Sequence, residues 1–228
     1  EALKIARRED LVVVVDTNKP DLVESKELAA VVDNLVIIDH HRRVEAIIEN
    51  PTIVHIEPYA SSASELVTEM LQYTLAEKKD LSKVEAEGLL SGITVDTKSF
   101  SVKTGVRTFE AATWLRRQGA DTTAVRQFFQ TDMEIFKLKA EIIARSRQYP
   151  GAMALSYYDK PRKNISVLIS MAADELLNIR GMKASVVLGV NEENDVRVSA
   201  RSLGDINVQR MMEKIGGGGN ITTAGAQL

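Results

Sequence analysis

Along the first half of the chain, short β-branched runs alternate with stretches whose apolar positions recur every three or four residues. The run at 11–16, "LVVVVD", is continuously apolar until it closes on Asp16, the pattern of a strand buried on both faces of a parallel sheet. Pro20 suits the first turn of a helix, and "DLVESKELAAVV" carries apolar residues at helical spacing before a second run, "LVIIDHH". Strand, helix, strand predicts a βαβ unit. "PTIVHIEPYASSASELVTEMLQYT" predicts a short strand, a turn at Pro58 and a helix entered through Ser61, Ser62 or Ser64, with Glu65 in its first turn. "LSKVEAEGLLSGITVDTKSF" reads as a helix capped by Ser82 that runs into Asp96, and "RTFEAATWLRRQGA" as a helix stopped by Gly119. Residues 123–149 form a long helical stretch with an irregular middle. Beyond Pro150 and Gly151 come a strand "AMALSYY", a helix "SVLISMAADELLNI", two alternating strands around "NEEND", and an amphipathic helix followed by four glycines. The predicted fold class is α/β, a parallel-sheet domain over 1–130 flanked by helices, a helical connector over 131–150 and a smaller α/β domain over 151–228.

Composition narrows the chemistry. The 228 residues are 44% hydrophobic and 27% charged with a formal charge of −3, ordinary for a globular chain and unsuited to broad, non-specific binding of duplex nucleic acid. There is no cysteine, so any metal must be held by oxygen and imidazole. No apolar run approaches the roughly 20 residues of a membrane helix, and "EALKIARRED" lacks the regions of a signal peptide. Because the chain opens on Glu1 and closes on "AGAQL", the expectation is a segment of a longer protein.

In open sheets of this type ligands gather beyond the carboxyl ends of the strands, which is where Asp16 and Asp39 fall. Asp16, Asp39, His40, His41 and Asp96 are therefore expected on one rim, a donor set that suits manganese, magnesium or iron. Neighbours on extended backbone alternate, so His40 and His41 are expected to point apart, one to a metal and the other to a substrate oxygen. His55 reads as structural. The glycine run could cradle a phosphate on its N–H groups or form a loop, and Arg201 ends a strand where it could grip phosphate. Arg42 and Arg43 could do the same or begin a solvated helix.

These motifs, "VVVVDT", "IIDHHRR", "EPYASSASELVTEML", "SGITVDTKSFSVKTGVRTFEAATWLRRQGAD" and "RVSARS…NVQRMMEKIGGGG", resemble the DHH phosphoesterase superfamily over almost the whole chain. "VDTKSFSVKTGVRTFEAA" is most similar to the cyclic-di-AMP phosphodiesterases of the GdpP (YybT) type. The resemblance implies a DHH domain and a DHH-associated domain with the substrate between them, two Mn²⁺ ions, and hydrolysis of cyclic di-AMP to 5'-pApA. It assigns Asp16 to bridge both ions, His40 and Asp96 to complete the second ion's shell, His41 to the scissile phosphate and Asp39 to orient a histidine. Ser199, Arg201, Gly217, Gly218, Gly219 and Asn220 would hold the nucleotide. Two readings stay open beside it, a nanoRNase or pAp phosphatase of the same superfamily and a non-catalytic nucleotide-binding module. The superfamily's first motif, His-x-x-x-Asp-x-Asp, is expected before Glu1, so this segment alone should bind metal and turn over poorly. Asn220 stands where the glycine motif usually ends in histidine, which implies weaker substrate binding or an altered nucleotide preference with the metal site untouched. The resemblance further implies a cytoplasmic catalytic segment in a membrane-anchored, longer bacterial protein of second-messenger signalling, and leaves a homodimer open.

Overall fold

The computed structural model describes residues 2–42, 48–74 and 81–228. It divides into two compact units, Glu1–Gln130 and Thr131–Leu228. None of the described helices is long and apolar enough to cross a membrane.

The first unit opens with a short helix α1 (Ala2–Ile5) and three parallel strands, β1 (Leu11–Val15), β2 (Asn34–Asp39) and β3 (Ile53–Ile56), in the order β1-β2-β3. Helix α2 (Lys26–Val31) lies in the crossover that a parallel pair requires. The helix predicted from Pro20 is interrupted: Pro20–Leu22 makes one 3₁₀ turn, and α2 restarts at Lys26 because the Ser25 hydroxyl accepts from the Leu28 N–H at 3.4 Å. In the central strand Leu35 and Ile37 pack with Val14 and Ile48 on one face, while Ile38 packs with Ala60 and Leu66 on the other. That two-sided burial is what a continuous apolar run needs. β1 departs from the prediction. As an edge strand of the described sheet it leaves Leu11, Val13 and Val15 exposed, because only β2 pairs with it.

Helices α3 (Ala63–Thr74), α4 (Lys83–Asp96), α5 (Val106–Arg117) and α6 (Thr122–Phe128) complete this unit. Ser62 is the residue that caps α3, accepting from the Glu65 N–H at 3.0 Å, and the buried Glu65 carboxylate accepts from the Ser61 hydroxyl at 2.5 Å. Ser82 and Glu85 form a reciprocal capping box at the start of α4. Arg107 on α5 clamps this layer to the sheet: its guanidinium donates to both oxygens of Glu69 on α3, at 2.7 and 2.5 Å, and to Glu57 just past β3 at 2.6 Å.

The second unit begins earlier than the sequence pattern suggested. The stretch read as a connector is helix α7 (Met133–Ala144) and strand β4 (Arg147–Tyr149), and both belong to this unit's packing. The reason is burial: Ile142 joins the core of helix α8 (Ile165–Leu176), and β4 pairs antiparallel with β5 (Met153–Tyr158). Strands β6 (Ala184–Val190) and β7 (Val196–Ser202), helix α9 (Val208–Glu213) and a hairpin of β8 (Gly218–Gly219) and β9 (Thr223–Gln227) follow. The mixed sheet runs β4-β5-β6-β7-β9-β8, with α8 on one face and α9 on the other.

Candidate active site

In-register parallel pairing builds the site's edge. Val15 pairs with Ile38, so Asp16 and Asp39 are the next residues on neighbouring strands, and the Asp16 N–H still donates to the Ile38 carbonyl at 3.0 Å. Beyond that bond the chain turns, with Asp16 at φ 65°, a left-handed conformation that aspartate tolerates better than most residues. The third carboxylate, Asp96, ends α4, where Lys98, Ser99 and Phe100 follow at φ 47°, 57° and 64°. Buried Thr97 supports that costly turn by donating to the Ile93 carbonyl at 2.7 Å and accepting from the Phe100 N–H at 2.9 Å.

The structure brings Asp16, His40, His41 and Asp96 together. His40 Nε2 lies 3.3 Å from Asp16 Oδ1 and 3.6 Å from Asp96 Oδ2, and His41 Nδ1 lies 4.0 Å from the same Asp16 oxygen. One ligand atom from each of Asp16, His40 and His41 falls within 4.8 Å of the others. His40 is buried, while His41 and Asp16 are open to a ligand. The expectation that the two imidazoles point apart is wrong: their centroids are 4.4 Å apart and both rings turn toward Asp16. Strand β2 ends at Asp39, so the alternation of extended backbone no longer governs His40 and His41.

Asp39, wholly buried, does not face this cluster as a ligand. Its Oδ1 accepts from the His41 backbone N–H at 3.1 Å and lies 2.8 Å from His41 Nδ1, while its Oδ2 accepts from the Asn18 amide at 2.5 Å. Burial pushes this carboxyl up, but the His41 and Asn18 hydrogen bonds outweigh it and hold Asp39 below its ordinary value. Asp96 moves the other way. Burial raises it, and Asp16's charge adds to that rise while His40 opposes it. Crowded carboxylates beside two imidazoles form a hard oxygen and nitrogen donor set, and the residues present fit a divalent cation.

In the second unit Ser199, Arg201 and Gly217 to Gly219 line one cavity of about 630 Å³. Arg201 donates to Ser199 Oγ at 2.9 Å and to the Ala200 carbonyl at 3.0 Å, and pairs with Asp174 at 3.3 Å. The glycine run is an ordered hairpin edge: a Cβ at Gly217 would meet the Gly225 carbonyl oxygen at 2.2 Å, and Gly219 holds φ 142°. Asn220 is not among the residues lining the cavity. Its Oδ1 accepts from the N–H groups of Thr222 and Thr223, at 3.0 and 2.8 Å, closing the β8–β9 turn. His55 lies 3.8 Å from Glu57, Arg42 is exposed, and Arg43 falls outside the described residues.

Sequence reasoning missed Asn18, Ser170 and Arg197. Nothing local marks Asn18. Arg197 was legible, because Arg197, Ser199 and Arg201 alternate along β7 and share a face, and all three line the cavity.

The DHH family N-terminal domain model matches residues 2–93, and the DHHA1 domain model matches residues 158–228. The chain carries a DHH domain followed by a DHHA1 domain. Its DHH and DHHA1 domains are 46% identical over 228 residues to the cyclic-di-AMP phosphodiesterase GdpP of Geobacillus thermodenitrificans, covering 100% of this chain and 34% of that protein. They are 44% identical over 227 residues to the cyclic-di-AMP phosphodiesterase PdeA of Listeria monocytogenes, again 100% of this chain and 34% of the relative. The chain thus spans about a third of the length of these curated relatives. An exopolyphosphatase-related protein from Bacteroides fragilis superposes with a TM-score of 0.85 at 22% identity, over 100% of this chain and 68% of that one, and shows the same fold. The DHH match spans β1 and β2 and the residues that follow them, Asp16, His40 and His41 among them, as well as Asp39.

Proposed function

We propose that this chain is the catalytic portion of a cyclic-di-AMP phosphodiesterase that hydrolyses the cyclic dinucleotide to 5'-pApA. The observation that carries the reading is the convergence of Asp16, His40, His41 and Asp96 at the carboxyl edge of a parallel sheet, with Asp39 beneath. The names of the relatives at 44–46% identity support the substrate. Asp16, His40 and Asp96 would hold divalent metal, Mn²⁺ in this reading. When bound, a pair of such ions supplies the positive charge that favours water's in-line displacement at phosphorus. His41, steadied by Asp39, contacts the scissile phosphate. Water's oxygen forms the new bond to phosphorus, the ester bond to the ribose 3' oxygen breaks, and that oxygen leaves with a proton. Arg201, Ser199 and the N–H groups of the glycine edge bind the nucleotide.

The test is a side-by-side assay of cyclic di-AMP, pApA and pAp with Mn²⁺ added, in the full-length protein, wild type and Asp16→Ala. Faster turnover of cyclic di-AMP that falls at least a hundredfold in D16A supports the reading. Preferential cleavage of pApA or pAp points to the nanoRNase or pAp phosphatase activity instead. Tight nucleotide binding with no turnover points to a sensor module.

A further inference from the structure

Asn18 is 2% exposed and sits in the turn after β1, two residues beyond Asp16. Its Nδ2 donates to Asp39 Oδ2 at 2.5 Å and to the Arg42 carbonyl at 3.4 Å. The amide orientation is forced, since both of those partners are acceptors and only the NH₂ end can satisfy them. Among the described residues, Asn18 Oδ1 is thereby left as a buried side-chain acceptor without a partner. Leaving such an acceptor unpaired costs about 1–3 kcal/mol. An aliphatic side chain of the same branched shape would remove that unpaired acceptor but leave the buried Asp39 Oδ2 without its donor, so the amide is explained by what its NH₂ holds rather than by packing.

What the amide does is hold the far oxygen of Asp39. The near oxygen, Oδ1, is 2.8 Å from His41 Nδ1 and accepts from the His41 backbone N–H at 3.1 Å. Gripped at both oxygens, the carboxylate loses its freedom to rotate. An acceptor-only group at His41 Nδ1 requires that nitrogen to carry the hydrogen, so Nε2 carries the lone pair. We infer that Asn18 is a positioning residue that sets the ring plane and tautomer of His41 through Asp39. The catalytic consequence rests on the proposed phosphodiesterase reading; the tautomer does not. Partners of this kind, one step removed from the reacting groups, typically contribute 10–100-fold.

The test has two readouts. Two-bond ¹H–¹⁵N spectra of the histidine-labelled chain contain three imidazoles, those of His40, His41 and His55. At a pH where the imidazoles are neutral, His41 is expected as the Nδ1–H tautomer. In Asn18→Leu the Nε2–H form is expected to grow in, with His55 unchanged. In parallel, N18L should lower kcat for cyclic di-AMP about 10–100-fold with KM within about twofold. Added to His41→Ala, it should cost nothing further. Asn18→Ser, whose hydroxyl is too short to reach Asp39, should reproduce these losses and decides the matter if the leucine variant does not fold. An unchanged His41 tautomer in a folded variant, or an equal loss with and without His41, overturns the inference. If the wild type does not hydrolyse cyclic di-AMP, the functional reading fails while the spectra still decide the positioning role.

Discussion

Gly92 is where the geometry of the site depends on a missing side chain. A Cβ there would meet Ser64 Oγ at 2.1 Å and Ser64 Cβ at 2.9 Å, so α4 rests directly on α3. The hydroxyl can rotate away, but Cβ is tied to the backbone. Reaching the 3.4 Å of ordinary contact requires 3.4 − 2.9 = 0.5 Å of separation between the helices. Overpacking of that kind costs about 1–3 kcal/mol, and a contact of backbone-tied atoms falls toward about 3. Ala returns about 1 kcal/mol of helix propensity over Gly. Gly92→Ala should therefore destabilise by about 2 kcal/mol. Asp96 lies one helical turn farther along the same face of α4, so the shift also moves a candidate metal-holding carboxylate away from His40. Mn²⁺ affinity should fall about tenfold, the lower end of what disturbing the support of a metal-holding side chain costs.

Urea titration followed by the single tryptophan, Trp114, reads the stability, because that ring packs partly buried against the α4 and α5 core. Calorimetry with Mn²⁺ reads the affinity. Adding Ser64→Gly removes both clashing atoms and should recover the metal affinity, with a coupling of about 3 kcal/mol between the two sites. A G92A protein stabilised by about 1 kcal/mol, the bare propensity gain, with Mn²⁺ affinity unchanged would refute the reasoning.

Three further outcomes follow from the geometry. Arg107→Ala removes three charge-assisted hydrogen bonds, but the group is half exposed, so the loss should be about 1 kcal/mol and shrink in high salt, checked by denaturant titration at two ionic strengths. Asn220→His removes the acceptor that closes the β8–β9 turn, so it should lower Tm by about 2–4 °C for each kcal/mol lost, and leave KM no lower. Asp39 is held below its ordinary value of 3.8, so its contribution to stability is fully present above that value and is lost as pH falls through the depressed one. Asp39→Asn should flatten that acid limb of the stability profile, which thermal melts across acidic pH would show.

Much of the site was legible because parallel pairing is a local rule with a long reach. Two apolar runs that each end in aspartate, joined by a crossover, must deliver Asp16 and Asp39 to one edge. Ser82 and Gly119 followed the same way, since caps and stops are written in a few adjacent residues, whereas the choice of Ser62 over Ser61 and Ser64 as the α3 cap needed the structure. The α7 boundary was not legible: an amphipathic helix shows that it has an apolar side, not which core will bury Ile142.

The sequence by itself determined the strands and helices that carry the site, the rim on which the carboxylates gather and the hard donor set of a chain without cysteine, but not strand β4 or the β8–β9 hairpin. Only the tertiary structure decided that both imidazoles turn to Asp16, that Asn220 closes the β8–β9 turn, and that Asn18 reaches Asp39. Periodicity reports which face of an element is apolar, and it falls silent where strands end. At those ends side-chain direction is set by hydrogen bonds to residues more than 20 positions away, as from Asn18 to Asp39, and no local pattern encodes them.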